Sequence, residues 1–246
     1  VVRLELIGHG GSESPASLDP YLMNACAAQI VEVVRQLGLI RPHLLGYSMG
    51  GRAALAAALV KPNQFSSLVL VGATAGIAEL SRRRERVAED RALADRIEAR
   101  PLAEFVEEWM ALPLFSSQAS LGSAALSRAR AQRMKNLPLG LANSLRGMGA
   151  GAQPPLFDQL DQLDAPVLLV AGELDTKFRQ IATSLQALLP NARTEIISGV
   201  GHAAHLEDPI EFAERAVKFF SEPRLAVAGS LSGPAKSVEP VRSDCV

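Results

Sequence analysis

Three residues far apart in the chain have side chains that can do nucleophilic or base chemistry together. Ser48 lies in the stretch GYSMGG, at the centre of a G-x-S-x-G spacing formed with Gly46 and Gly50. This spacing is typical of a sharp strand-to-helix turn that exposes a serine hydroxyl and places the next backbone N–H, here that of Met49, beside a reacting oxygen. A serine hydroxyl is a weak nucleophile and a weak base unless a histidine accepts its proton. The motif therefore predicts a reactive serine with a partner farther along the chain.

The partner residues are expected in loops that follow predicted strands. Asp175 comes just after the apolar run APVLLVAGEL, and His202 lies in the loop SGVGHAAH after the next strand-like run. An acid that accepts a hydrogen bond from the histidine fixes its tautomer, so the three residues predict a Ser-His-Asp triad. The order Ser, Asp, His along the chain is that of α/β-hydrolases.

Four other residues have weaker claims to the acid or base role. Glu173 is expected at the rim of the site, where it supports the acid, and His205 is expected to pack or hydrogen-bond beside His202. The remaining two are His9 and His43.

Continuous apolar runs alternate with helical patterns along most of the chain, which indicates an α/β protein. Strands covered on both faces read as uninterrupted apolar segments, whereas helices show apolar residues three and four apart. Predicted strands are residues 1–7, HLLGY, SLVLVGAT, APVLLVAGELD and ARTEIIS; predicted helices are residues 18–37, GRAALAAALVKP, 178–189 and 209–220. This order predicts an α/β-hydrolase fold with a doubly wound, mostly parallel sheet and its site at the carboxyl ends of the strands.

Residues 76–151 interrupt this alternation. The stretch ELSRRRERVAEDRALADRIEARPLAEFVEEWM is densely charged and has a helical pattern. We expect it to begin a helical cap over a core made of residues 1–75 and 152–220. Residues 221–246 contain little that could pack and are expected to be disordered. Because the chain begins within a strand-like run, without a Met or a polar lead-in, its first strands are expected to be missing.

Composition excludes several classes of function. The 246 residues are 48% hydrophobic and 21% charged, which is ordinary for a globular protein, and the net charge of −1 favours neither nucleic acid nor a membrane as partner. Cys26 and Cys245 lie too far apart and in settings too different to suggest a disulfide, and no apolar run reaches the roughly 18 residues of a membrane span. We therefore expect a cytoplasmic protein. Oligomeric state has no signature in the sequence.

Metal ions and nucleotides are not implied either. His202 and His205 are three residues apart, and no third ligand accompanies them. The glycine-rich RGMGAG is not a phosphate loop, because no Lys-Ser/Thr follows it and no strand precedes it. The expected cofactor set is none.

Arginines form the second group of candidate functional residues. Arg52 lies four residues after Ser48 on the predicted helix, close enough to meet an anion at the site, although a structural salt bridge fits the spacing equally well. Most arginines of the predicted cap must lie on a solvated helix face, because one helix cannot turn all of them inward. One or two are expected to face the site. The cap set is Arg82, Arg83, Arg84, Arg86, Arg133 and Arg146.

Several segments together resemble one known family. They are GYSMGGRAAL, RVAEDRALADRIE, EEWMALPLFSSQ, NLPLGLANSLRGMGAGAQPPLF, AGELDTKF and GVGHAAHLEDP. These segments are similar to the 2-succinyl-6-hydroxy-2,4-cyclohexadiene-1-carboxylate synthases of menaquinone biosynthesis, over about residues 1–220. Many families share the serine turn, whereas SLRGMGAGAQP and DTKF make the resemblance specific.

The resemblance implies a carbon–oxygen lyase without a cofactor. The implied reaction is the 2,5-elimination of pyruvate from 2-succinyl-5-enolpyruvyl-6-hydroxy-3-cyclohexene-1-carboxylate, with the Ser-His-Asp triad as base. The implied partner is therefore a small polycarboxylate, and the residues implied to line its pocket are Tyr47, Arg52, Arg86, Trp109 and Arg133. Arg146 and Lys177 are weaker candidates, and packing within the cap explains Trp109 equally well.

This sequence departs from the family's pattern at three places. Phe157 stands where the family often has tryptophan, and Ala150 where it often has threonine. The family's His-Gly-Phe loop, which supplies a second oxyanion N–H, precedes the point where this chain starts, so Met49 is the expected donor. Two alternatives stay open: a serine esterase or carbon–carbon bond hydrolase on the same fold, and a catalytically impaired homologue. Pyruvate release measured against ester hydrolysis distinguishes them.

Overall fold

Four parallel strands form the central sheet of the computed structural model, which describes residues 1–222. The strands are β1 (His43–Tyr47), β2 (Ser67–Val71), β3 (Val167–Gly172) and β4 (Ala192–Ile197), and they lie in the order β1-β2-β3-β4. The register pairs Tyr47 with Val71 and Gly172 with Ile197, so the carboxyl ends of all four strands meet at one edge. Loops that follow the strands are therefore neighbours.

Helices fill the connections between the strands. In chain order they are α1 (Met23–Gln36), α2 (Met49–Val60), α3 (Leu80–Ala99), α4 (Leu102–Met110), α5 (Gly122–Arg133), α6 (Pro138–Met148), α7 (Thr176–Leu188), α8 (Ala204–Glu207) and α9 (Pro209–Ser221). Short 3₁₀ helices occupy Asp19–Tyr21, Pro113–Leu121 and Phe157–Gln162.

The sheet is covered on both faces because side chains alternate along each strand. Leu68 and Leu70 of β2 belong to a buried cluster with residues of α1, α2 and α7. Val69 and Val71 of the same strand point the other way and pack with Phe212 and other residues of α9. This period of two places one apolar set on each face, which is the arrangement of a doubly wound sheet. The predicted fold class is confirmed.

The strand predicted at residues 1–7 is wrong. Val1 to Leu6 have no regular structure, and β1 pairs only with β2 within residues 1–222. Leu6 and Ile7 pack against the core, whereas Val1, Val2 and Leu4 are exposed. Apolar content made this segment look like a strand, but a strand needs a hydrogen-bonded neighbour, and this segment has none in the described part of the chain.

The long connection between β2 and β3 contains α3 to α6, so the predicted interruption of the alternation is helical. The division into a core of residues 1–75 and 152–220 and a cap of residues 76–151 stays a prediction. Ser221 ends α9 and Glu222 forms an ion pair with Arg193, so these two residues are ordered. The rest of the predicted disordered tail lies outside the described residues. No helix within residues 1–222 is long and apolar enough to cross a bilayer.

Candidate active site

Ser48 occupies the turn between β1 and α2. Its backbone has φ 50° and ψ −111°, a left-handed conformation that is uncommon for a residue with a Cβ. One side of the turn is closed: a Cβ on Gly46 would overlap the backbone of Gly50, whereas a Cβ on Gly50 would meet no atom within 4 Å. The Ser48 N–H donates to the Val71 carbonyl of β2 at 2.8 Å, which anchors the turn to the sheet. Of the two glycines in the spacing, Gly46 is therefore the one that this turn requires sterically.

The three predicted triad residues lie within hydrogen-bond distance of one another. His202 Nε2 is 3.1 Å from Ser48 Oγ, and His202 Nδ1 is 2.7 Å from Asp175 Oδ2. Asp175 also caps α7 by accepting a bond from the Phe178 N–H through its other oxygen, which fixes the carboxylate plane. With its Nδ1 proton donated to Asp175, His202 has Nε2 free to accept the Ser48 proton.

Aromatic rings surround the imidazole, which is almost fully buried. Phe178 lies 4.5 Å, Tyr47 5.3 Å and Phe115 6.2 Å from His202 between ring centroids. Water is thereby kept from most of the ring, which strengthens its hydrogen bonds. Sequence reasoning missed Phe115 and Phe178, because an isolated apolar residue in a helix has no pattern that distinguishes a site wall from ordinary core.

Tyr47 contacts two histidines. Its ring centroid is 4.4 Å from that of His205 and 5.3 Å from that of His202. Burial and, to a smaller extent, the nearby His202 together lower the pKa of His205 to about 4, so His205 is neutral near pH 7. Burial also raises the pKa of Tyr47, against the opposing effect of Arg133. The prediction that His205 packs beside the site is confirmed.

Arg52 belongs to a buried polar cluster with Gln153, Arg86 and Asp90. Its guanidinium donates from Nη1 to Gln153 Oε1 at 2.8 Å, and burial lowers its pKa to about 10. Arg86 Nε pairs with Asp90 Oδ1 at 2.8 Å, one turn along α3. Gln153 is fully buried, and its Nε2 has no hydrogen-bond partner within residues 1–222. Arg52 and Arg86, both predicted at the substrate, are thus brought together, and their contact with substrate stays a prediction.

Arg133 and Trp109 reach the site through Phe115. The Arg133 Cζ lies 5.9 Å from the Phe115 ring centroid, and the Trp109 centroid lies 5.9 Å from the same ring. Burial lowers the pKa of Arg133, and its Coulomb interaction with Tyr47 acts in the opposite direction. Arg133, Trp109 and Phe115 therefore form a wall that extends from His202 into the helical connection.

The four weaker candidates are Arg146, His9, Lys177 and His43. Arg146 forms ion pairs with Asp95 and Glu98 and donates to Asn143 Oδ1 at 3.3 Å. His9 Nδ1 lies 3.2 Å from the Ile7 carbonyl. Neither is hydrogen-bonded to Ser48, Asp175 or His202. The other two candidates are Lys177, which lies at the start of α7, and His43, whose Nδ1 is 2.8 Å from Ser67 Oγ.

Two carboxylates hold the loop that carries His202. Glu173 accepts bonds from Ser198 Oγ and the Gly199 N–H, which lower the pKa of Glu173. Glu207 accepts bonds from the N–H groups of Gly201 and Ala203. Sequence reasoning placed Glu173 at the rim but missed Glu207.

A cavity of about 300 Å³ opens beside the acid and the base of the triad. Asp175, His202 and Leu174 form one wall, and residues of the 3₁₀ helix Pro113–Leu121, among them Ser117, form the other. Within residues 1–222, no group of three or more His, Cys, Asp or Glu side chains could hold a metal ion.

Similarity to known proteins is extensive. Residues 1–209 match the family described as the alpha/beta hydrolase fold. A Bacillus subtilis (strain 168) protein, named putative 2-succinyl-6-hydroxy-2,4-cyclohexadiene-1-carboxylate synthase, is 40% identical over 90% of this chain and 81% of its own length. A synthase of the same name from Serratia proteamaculans (strain 568) is 32% identical over 90% and 83% of the two chains.

The solved structure of MenH from S. aureus superposes with a TM-score of 0.84 and 34% sequence identity, over 88% of this chain and 81% of that one. Each of these matches spans most of this chain and most of the relative's own length. The chain therefore belongs to the 2-succinyl-6-hydroxy-2,4-cyclohexadiene-1-carboxylate synthase family, within the α/β-hydrolase fold.

Proposed function

We propose that the chain eliminates pyruvate from 2-succinyl-5-enolpyruvyl-6-hydroxy-3-cyclohexene-1-carboxylate to give 2-succinyl-6-hydroxy-2,4-cyclohexadiene-1-carboxylate. Its family membership supports this activity. The observation that carries the proposal is a buried cation near the serine turn: Arg52 donates to the neutral amide of Gln153 and to no carboxylate within the described residues. A Ser-His-Asp base fits many reactions, whereas a base near a buried cation that has no hydrogen-bonded carboxylate favours an anionic substrate.

The reaction needs a base, a path for electrons and a leaving group. The 3-ene of the substrate becomes a 2,4-diene, so the proton leaves C2 and the enolpyruvyl oxygen leaves C5. The C2–H bond is acidified by the adjacent succinyl ketone, whose oxygen takes up negative charge as the proton departs. The expelled enolate gains a proton and becomes pyruvate. No water, oxidant or reductant is consumed, so the proposed reaction requires no cofactor.

Ser48 is the proposed base. Its Oγ accepts the C2 proton while its own proton passes to Nε2 of His202, 3.1 Å away. Asp175, at 2.7 Å from Nδ1, stabilises the imidazolium that forms. His202 can then return the proton to the departing enolate. This cycle restores all three residues without covalent attack on the substrate.

Met49 supplies a donor for the developing oxyanion. Its backbone N–H is the first of α2, and the first N–H groups of a helix have no intrahelical acceptor. The positive end of the helix dipole adds to this stabilisation. A negative charge that grows on the succinyl ketone oxygen is therefore favoured at this point.

Five side chains are proposed to bind the polycarboxylate. Arg52, Arg86 and Arg133 supply the cationic donors, since a guanidinium binds a carboxylate in bidentate fashion. Tyr47 and Trp109 contribute aromatic walls. Neither nucleic acid nor a membrane is a proposed partner. A cytoplasmic location is also part of the proposal and agrees with the buried free thiol of Cys26.

The test is pyruvate release by the purified chain from the enolpyruvyl substrate, compared with hydrolysis of p-nitrophenyl esters. We expect kcat/KM for pyruvate release to exceed that for the esters. Ser48→Ala should abolish release, and Arg133→Ala should raise KM. Arg146→Ala is the matched control, because it removes an arginine whose ion-pair partners are the carboxylates of Asp95 and Glu98.

Three results would overturn the proposal. The first is pyruvate release that persists unchanged in Ser48→Ala. The second is an ester kcat/KM above that for the enolpyruvyl substrate together with covalent acylation of Ser48 during turnover, which would establish the hydrolase alternative. The third is a chain that binds the substrate but releases no pyruvate, which would be the catalytically impaired homologue.

A further inference from the structure

The loop between β4 and α8 carries His202 and has no regular secondary structure. It runs from Ser198 to Ala203, and Gly199 in it adopts a left-handed φ of 71°. Both hydrogen bonds of the imidazole depend on where this loop holds its backbone. A catalytic side chain on an irregular loop needs support from outside the loop, because misplacement by about 1 Å can cost about a hundredfold in rate.

Glu207 supports the loop on both sides of His202. Its Oε2 accepts the Gly201 N–H at 2.7 Å, and its Oε1 accepts the Ala203 N–H at 3.2 Å. The bond to Ala203 resembles a helix cap, since Ala203 is the N-cap residue of α8. The bond to Gly201 does not, because Gly201 lies two residues before the cap. One carboxylate therefore brackets the histidine with its two oxygens.

Glu173 supports the beginning of the same loop. Its Oε2 accepts Ser198 Oγ at 2.6 Å and the Gly199 N–H at 2.8 Å. Glu173 lies two residues before Asp175, and the next residue, Leu174, donates its N–H to the Val200 carbonyl at 2.9 Å. The loop of the acid is thus tied directly to the loop of the base, which fixes their separation.

Packing leaves the loop little freedom to move in other directions. A Cβ added to Gly201 would overlap Ser117 Oγ, and a Cβ on Gly172 would overlap the carbonyls of Val200 and Gly201. The loop is therefore enclosed by β3 and by the 3₁₀ helix Pro113–Leu121, while the two carboxylates hold its N–H groups.

We propose that Glu207 and Glu173 are positioning residues that hold the His202 loop so that the imidazole meets Ser48 and Asp175 together. Neither carboxylate touches the substrate in this proposal; both act through His202. A charged acceptor suits the task, since its hydrogen bonds to N–H groups are shorter and stronger than those of a neutral acceptor. The proposal rests on the proposed function only in taking His202 as the proton acceptor of Ser48.

The two residues differ in a way that makes the proposal testable. Glu207 uses both oxygens, so in Glu207→Gln one loop N–H would face the amide NH₂ and lose its acceptor. Glu173 uses one oxygen for both of its bonds, so in Glu173→Gln the amide oxygen can replace it. Glu173→Ala removes that acceptor. The exposed Glu214 offers a matched control on α9.

The experiment measures three quantities for Glu207→Gln, Glu207→Asp, Glu173→Gln, Glu173→Ala and the control Glu214→Gln. They are kcat and KM for pyruvate release, the rate at which a fluorophosphonate labels Ser48, and the thermal midpoint. We expect Glu207→Gln and Glu173→Ala to lower kcat and the labelling rate about tenfold to a hundredfold, with KM within about twofold of wild type. Glu207→Asp should recover part of the loss, and Glu173→Gln and Glu214→Gln should resemble wild type.

Fluorophosphonate labelling needs His202 but not the natural substrate, so the two proposals can fail separately. Wild-type labelling without pyruvate release overturns the proposed function and leaves the positioning role to be judged by labelling. Wild-type kcat and labelling in Glu207→Gln overturn the positioning role. A loss in Glu207→Gln that is confined to KM or to the folded fraction also overturns the positioning role. If Glu207→Gln does not fold, kcat and labelling of Glu173→Ala decide by the same criteria.

Discussion

Replacing Arg52 by methionine decides whether this arginine binds an anion or serves as a structural ion pair. Arg52 is 8% exposed, and burial lowers its pKa from the ordinary arginine value to about 10. At about 1.4 kcal/mol per pKa unit, burial disfavours the charged form by about 3 kcal/mol. A base that binds its proton less tightly in the folded chain than in the unfolded chain destabilises the fold while it is charged. This penalty is therefore present below about pH 10 and fades as the pH rises from there toward the ordinary pKa of arginine.

Methionine removes the penalty and roughly keeps the apolar length of the side chain. It also leaves Oε1 of Gln153 without its donor, which costs about 1–3 kcal/mol. The two effects nearly balance, so we expect Arg52→Met to be as stable as wild type or up to about 2 kcal/mol more stable. The double variant Arg52→Met, Gln153→Leu removes the orphaned amide as well, and it should gain up to about 3 kcal/mol.

Substrate binding should change in the opposite direction. Loss of a charge-assisted contact of about 1.5–3 kcal/mol lowers kcat/KM by about tenfold to a hundredfold. Urea unfolding measures the stability of each variant, and pyruvate release measures its kcat/KM. Arg146→Met is the matched control: its surface ion pairs with Asp95 and Glu98 should contribute less than about 1 kcal/mol, and KM should not change.

One pattern of results would refute this reasoning. If Arg52→Met lost more than about 2 kcal/mol of stability while kcat/KM stayed at the wild-type value, the structural interpretation would be correct. Arg52 would then be stabilised by its Coulomb interaction with Asp90 strongly enough to offset its desolvation.

Three further outcomes are expected. Asp175→Asn should lower kcat for pyruvate release by about 10³- to 10⁴-fold, because the histidine loses its orienting acceptor. The thermal midpoint should change little, since the Asn oxygen can still cap α7. A kcat near wild type would exclude Asp175 as the acid. Gly72→Ala should lower both the stability in urea and kcat, because Gly72 has φ +55° and an added Cβ would lie 2.7 Å from His202 Cε1. An active, stable variant would contradict this geometry. His205 has a folded pKa of about 4 against 6.5 unfolded, so the unfolded chain binds more protons between these values and stability falls by about 3 kcal/mol as the pH falls from 7 to 4. His205→Phe should show a smaller loss in urea titrations over that range, and equal acid sensitivity in the two proteins would count against a buried neutral His205.

The sequence predicted the sheet from a property that the structure bears out directly. All five residues of β2 are buried, and the run SLVLV has no polar residue after its first position because both faces of the strand are covered. The same reasoning failed for residues 1–7. Apolar content reports how well a segment would suit a sheet, but it does not report whether a neighbouring strand is within reach.

The triad could be located from the sequence because its chemistry restricts where its members can lie. Ser48, Asp175 and His202 each follow a predicted strand, and parallel strands bring those loops to one edge. Glu207 could not be found in this way, because its partners are backbone N–H groups that leave no pattern in the side chains. The short helix α8 that Glu207 ends was not among the predicted helices, so the contact of Glu207 with the Ala203 N–H had no signal in the sequence.

The charges around Arg52 show why local geometry had to be known before the site could be understood. Asp90 could pair with Arg52 or with Arg86, and the sequence permits both. Arg86 lies one turn before Asp90 on α3, so their contact is built into the helix, whereas Arg52 must reach Asp90 from α2. The structure has the local pair, and Arg52 bonds to the neutral Gln153 instead. Two cations and one anion leave one buried positive charge, which is the charge that a single substrate carboxylate would neutralise.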